Sequence, residues 1–145
     1  MNKIFQISLF FYVFINIFSI SFGNETFFNK GLELYKNKNY EDARFMFERS
    51  IVFNPKSSNS YLYLAKIYNH EEDMQKEEKN LETALLIEPK NEEAILMLMK
   101  ISLEQSNYSK VKDLSKRFTI VCVKLCNENK NILETLENIE PKNES

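Results

Sequence analysis

One pattern of apolar and polar positions runs three times through residues 24–125. Phe27, Phe28, Gly31, Leu32, Leu34 and Tyr35 form a broad apolar stripe at helical spacing, which predicts a helix over about residues 25–37. The polar run Asn37-Lys38-Asn39 predicts a turn. Ala43, Phe47 and Ser50 follow at spacings of four and three, the inner face of a second helix over residues 40–53. Pro55 stops that helix, because proline has no amide hydrogen to donate and disfavours helix in the residue before it. Sliding the chain by 34 residues (89 − 55) sets Pro55 on Pro89, Phe27 on Tyr61, Gly31 on Ala65, Tyr40 on Met74, Phe47 on Leu81 and Ser50 on Ala84. A further step places Ile95, Met99, Tyr108, Val111 and Phe118 in the columns of Phe27, Gly31, Tyr40, Ala43 and Ser50. A fixed period in this range marks a stacked-repeat architecture.

The repeats divide as 24–57, 58–91 and 92–125, the last one degenerate. Gly31 reads as a packing residue, since only a small side chain lets the two helices of a hairpin approach there. Tyr61, Leu64, Ala65 and Tyr68, with Met74, Leu81, Ala84 and Leu85, form the inner positions of the second repeat. Ile95, Leu98, Met99 and Ser102, with Val111, Leu114, Ser115 and Phe118, form those of the third. One column breaks: Glu77 stands where Ala43 stands, and a carboxylate is costly to bury at a tight crossing. A splayed hairpin, or a Glu77 that reaches solvent, is the expectation. Glu92 and Glu93 suit the positive end of a helix dipole. Ile132, Leu133, Leu136 and Ile139 predict an amphipathic lid over 131–139, within a capping segment 127–140, because the last repeat's apolar face needs cover. Pro141 ends it, and residues 141–145 are a loose tail.

The succession Phe27, Gly31, Tyr40, Ala43, Phe47, Pro55 resembles the tetratricopeptide repeat. The resemblance implies an all-α fold, a right-handed α-α superhelix of about three helical hairpins plus a C-terminal capping helix. It also implies a concave groove, lined by the first helix of each pair, that accepts a peptide or helix. Carried over position by position, the groove presents Phe28, Leu32 and Tyr35 from the first repeat. The second gives Leu62, Tyr63, Lys66 and Asn69, and the third Leu96, Met97, Lys100 and Leu103. The family's carboxylate-clamping subclass places Lys and Asn at fixed positions of these helices. Phe28 and Leu32 occupy the first such pair here, which excludes that subclass.

Ahead of the repeats, Met1-Asn2-Lys3 is a short positive start, followed by an uncharged run from Ile4 to Asn24. Ser21 and Gly23 occupy the small-residue positions read by signal peptidase, so residues 1–23 are expected to be a signal peptide cleaved after Gly23. Cleavage after Ser21, or an uncleaved anchor over residues 4–23, is the alternative. Any of these exports the rest of the chain, and a periplasmic location is the expectation.

Cys122 and Cys126, the only two cysteines, lie where the third repeat departs from its period. In an exported chain so close a pair is a disulfide candidate. Closing about five residues would stabilise by roughly 2 kcal/mol on loop entropy. An intact helix would hold the α-carbons near the outer limit for a bridge, so bonding asks the helix to end at about Cys122. Two free thiols, or redox or metal work, are the rival readings. The stretch Phe118–Ile139 resembles the ending of small exported bacterial repeat proteins, where a C-x-x-x-C turn leads into a short amphipathic helix.

Composition narrows the function. Lysine and arginine number 19 against 21 acidic residues and are interleaved with them, which excludes an electrostatic nucleic-acid surface. Gly31 is the sole glycine beyond the leader, so no glycine-rich phosphate loop exists. His70 alone cannot complete a Cys/His zinc site, which needs four ligands. No catalytic constellation, cofactor site or metal site is expected. The reading is a non-enzymatic module that binds a peptide or helix of another exported protein. A homodimer, or a structural subunit of a cell-envelope assembly, is the alternative.

Overall fold

A computed structural model describes residues 26–139, and every regular element among them is an α-helix. The signal peptide expected over 1–23 and the tail over 141–145 lie outside the described residues. We number the helices α1 (26–36), α2 (Tyr40–Phe53), α3 (Ser58–His70), α4 (Met74–Ile87), α5 (Glu92–Glu104), α6 (Tyr108–Val121) and α7 (Cys126–Ile139). The described residues divide into two compact units, one ending at Leu64 and the other beginning at Ala65, with the boundary inside α3.

The period seen in the sequence returns in the backbone. Lys38, Glu72 and Ser106 have φ of 60°, 59° and 58°, a left-handed conformation at one column of the 34-residue repeat. Each follows a first helix and lets the next amide turn back: Asn39 N–H donates to Leu34 at 3.0 Å, Asp73 to Tyr68 at 2.9 Å and Asn107 to Ser102 at 2.8 Å. These close the orphan carbonyls of a helix C-terminus. The same three residues then cap the second helices. The side chains of Asn39, Asp73 and Asn107 accept from the amides of Asp42, Lys76 and Lys110. One short polar turn therefore ends one helix and starts the next.

In the first unit, α1 and α2 meet at Gly31. A Cβ placed there would lie 2.8 Å from Cε1 of Phe47, so the ring occupies the space a side chain would need. Phe47, Ala43 and Ser50 are buried, as their spacing predicts. The buried Ser60 hydroxyl donates to Ser50 at 3.0 Å and meets Ser57 at 2.8 Å, which satisfies a polar set in a column otherwise filled by the apolar Ala84 and Phe118.

In the second unit, α5 packs against α4, α6 and α7, and α6 packs against α7. Ile95, Leu98, Met99 and Ser102 face its core from α5, and Val111, Leu114, Ser115 and Phe118 from α6. Helix α7 buries Ile132 and Leu136, two of the four apolar positions expected of a lid, while Leu133 is partly exposed and Ile139 is exposed. It opens at Cys126, five residues before the apolar pattern at 131 (131 − 126) and 34 residues after α5 opens (126 − 92). Helix α7 thus stands in the register of the first helix of a fourth repeat.

Helix α6 ends at Val121, and Cys122, with ψ 137°, leaves the helix in extended conformation. The Cα atoms of Cys122 and Cys126 are then 5.4 Å apart and the two are disulfide-bonded. The helix end required by bridge geometry is where the bond needs it. Among the described residues no helix is long and apolar enough to cross a membrane.

Candidate partner-binding faces

The first unit carries an aromatic face. Tyr63 stacks on the buried ring of Phe47 at 5.2 Å between centroids. Tyr35 meets Tyr63 edge-on at 5.2 Å, Phe28 does so at 5.9 Å, and Tyr35 also meets Tyr40 at 5.5 Å. Such tilted and edge-on pairs fall in the favourable range for ring quadrupoles. Phe28, Leu32, Tyr35 and Tyr63 are all partly exposed. Four of the residues expected to form a groove thus share one unit and leave part of their apolar surface in water. The fifth, Leu62, is 5% exposed and belongs to the packed interior.

The second unit's share of the expected groove is different in kind. Leu96 is 6% exposed: α5 is covered by three helices, and a wider arc of its surface is enclosed than its first-helix column implies. Met97 and Leu103 are partly exposed and Lys100 is exposed, one helical face of α5. Lys66 is engaged rather than projecting, with its Nζ 2.8 Å from Glu93. Asn69 donates through Nδ2 to both carboxylate oxygens of Glu77, at 3.2 and 3.1 Å.

That last pair overturns one of the two alternatives expected for Glu77, that it reaches solvent. The carboxylate does not reach solvent but is 4% exposed, held by an amide eight residues earlier. Burial pushes its carboxyl above the usual range, the hydrogen bonds from Asn69 oppose this, and the charge of Glu104 adds to the rise. Column position alone gave no sign of Asn69 as the partner.

Glu92 has a second role besides its place in the first turn of α5. Its carboxylate accepts the amides of Val123 at 2.9 Å, Lys124 at 3.0 Å and Leu125 at 2.8 Å, the three residues enclosed by the disulfide. The Leu125 amide above all, with those of Lys124 and Val123, holds this carboxyl below the usual carboxylate range. The turn that carries α7 is fastened twice, once by sulfur and once by a side chain about thirty residues earlier. Among the described residues no group of His, Cys, Asp and Glu is arranged to hold a metal ion.

No family model matches the chain, and no curated protein does. Solved structures match over most of its length. The TPR2B domain of yeast Sti1, in a complex with pHsp70, is 11% identical, with 81% of this chain and 98% of that one covered at a TM-score of 0.73. The Yersinia enterocolitica type III secretion chaperone SycD, in complex with a peptide of the translocator YopD, is 13% identical, with 81% and 94% covered at 0.73. The Arabidopsis OM64 TPR domain is 20% identical, with 80% and 95% covered at 0.70. At these identities the likeness is one of fold. The chain has the all-α tetratricopeptide fold that its 34-residue period implies.

Proposed function

We propose that this protein is a non-enzymatic interaction module that receives a peptide or helix of another exported protein. The observation that carries the reading is the aromatic face of the first unit. Phe28, Tyr35 and Tyr63 hold one another in place and Leu32 stands partly exposed with them, a preformed apolar surface that orders few side chains on binding. Solved structures of the same fold support it, since the Sti1 domain was captured with pHsp70 and SycD with a translocator peptide. On α5, Met97 and Leu103 with the exposed Lys100 offer a second face of mixed character. Apolar anchors of a helical ligand at i, i+3, i+4 and i+7 suit such faces.

Photo-crosslinkers at Leu32 and Tyr35 in the native host test the site. The expected result is one dominant crosslinked protein at both positions and none at Lys116, which is exposed on α6. Equal crosslinking at all three positions, or none at 32 and 35, rejects the aromatic face as the site. Sedimentation at several concentrations distinguishes a foreign partner from a second copy, because only the second gives a mass that rises with protein concentration alone.

A further inference from the structure

The corners that follow the second helices repeat a motif that the aromatic face does not use. Val52, Leu86 and Ile120 occupy one column of the 34-residue period and are 76%, 83% and 85% exposed. Four positions later stand Lys56, Lys90 and Lys124, each exposed. Between them come Pro55, Pro89 and Val123, also exposed, Val123 by 82%. Every repeat therefore offers one bare aliphatic side chain, a second apolar residue and a lysine. Single exposed aliphatics are ordinary on any surface. The same triplet at three equivalent corners is not.

In the second unit two of these corners are tied together. Arg117 Nη2 donates to the Pro89 carbonyl at 2.6 Å, and the amides of Val123 and Lys124 reach Glu92, three residues past Pro89 (92 − 89), at 2.9 and 3.0 Å. Of the acidic groups nearby, Glu82 lies 3.2 Å from Lys110 and Asp113 lies 3.8 Å from Lys116, whose charges offset theirs. Glu88 and Glu92 are bonded to neutral amides and keep their charge, and that of Glu92 acts on Lys124. Lys79, Lys90 and Lys124 remain exposed on the same helices and corners.

We propose that these corners dock on an anionic phospholipid bilayer. The tips of Leu86, Ile120 and Val123 would enter the boundary between headgroups and acyl chains, while Lys90 and Lys124 meet lipid phosphates. Charge complementarity favours the anionic surface. Geometry favours a bilayer over a protein: the aliphatics project singly, and a fluid interface accepts each without a matching pocket. None of these docking residues belongs to the aromatic face, so a bound peptide and a bound bilayer do not compete for the same residues.

The chain contains no tryptophan, so Ile120→Trp or Val123→Trp in the full-length protein places a single reporter at the corner. Asn131→Trp, at an exposed position of α7, is the control. All three carry the same residues 1–23, so anchoring through that segment acts equally on each. Vesicles of phosphatidylglycerol and phosphatidylcholine with brominated acyl chains should blue-shift and quench the reporters at 120 and 123 and leave the one at 131 unchanged. Pure phosphatidylcholine, and the Lys90→Gln/Lys124→Gln background, should abolish the effect. Unquenched emission at 120 and 123, quenching as strong at 131, or the same quenching on neutral vesicles would overturn the proposal. A blue shift that grows with protein concentration without vesicles would assign the corner to a second copy instead.

Discussion

The helix crossing of the first unit and that of the third repeat, in the second unit, are built in opposite ways from the same columns. In the first, Gly31 has no side chain and the ring of Phe47 fills the crossing, with Ser50 one turn further on. In the third repeat Met99 takes the glycine's column, Ser115 the phenylalanine's and Phe118 that of Ser50. All of these are buried. Along the second helix the phenylalanine and the serine have changed places, and a methionine enters the column that Gly31 leaves to the ring of Phe47. In a close-packed interior the size allowed at one position depends on its neighbours. The lesson is that a repeat column fixes where a side chain goes, not how large it is. Size is settled by what stands across the crossing.

Removing the ring breaks the first arrangement hardest. Phe47→Ala should cost about 3–5 kcal/mol in urea titrations, because it empties the crossing that Gly31 was kept small to accommodate. Amide exchange should show protection lost in α1 and α2 and retained in α5 and α6. Equal loss in both would mean that the two units unfold as one.

Adding volume at the same place gives a somewhat smaller effect. Gly31→Ala should cost about 1–3 kcal/mol, since the new methyl meets the face of a buried ring. In a Phe47→Leu background the penalty should largely vanish, and an additive double-mutant cycle would refute the crossing contact. The fasteners of α7 come next. Cys122→Ser/Cys126→Ser should lower stability by about 2 kcal/mol. Glu92→Gln should loosen α7 in hydrogen exchange and speed reduction of the disulfide. Because the folded-state pKa of Glu92 is lowered, its contribution is present at neutral pH and is lost as the pH falls through the carboxylate range. The difference between Glu92→Gln and the parent protein should close in acid.

The smallest effect has the opposite sign. Burial raises the folded-state pKa of Glu77, so the native state favours the protonated form and loses stability as rising pH ionises the group. Glu77→Gln keeps an oxygen for the Asn69 amide and removes the buried charge. It should raise the melting temperature at neutral pH, with the gain shrinking towards acid pH. A lower melting temperature at neutral pH would show that the charge itself is needed.

The architecture was legible because its signals are local. Prolines, polar turns and 34-residue columns lie close together in the chain, and they place α2 at Tyr40–Phe53 and α6 at Tyr108–Val121. What escaped was decided at a distance. Asn69 turns Glu77 from an exposed residue into a buried one, and Glu92 finds its partners in backbone amides that no side-chain pattern encodes. Leu62 and Leu96 belong to the first-helix columns, yet packing encloses them. The capping helix expected over 127–140 corresponds to α7 at Cys126–Ile139, which opens on the polar run Asn127-Glu128-Asn129-Lys130 and buries no side chain before Ile132.

The left-handed residues Lys38, Glu72 and Ser106 make the turn between paired helices a fixed spacer. Chain length in such a design is quantised: gaining or losing a whole 34-residue module leaves every later side chain in phase, whereas one extra residue in a turn rotates all that follows by a fraction of a helical turn. Helix α7 obeys the same rule, since it opens at Cys126, one whole module after α5 opens at Glu92.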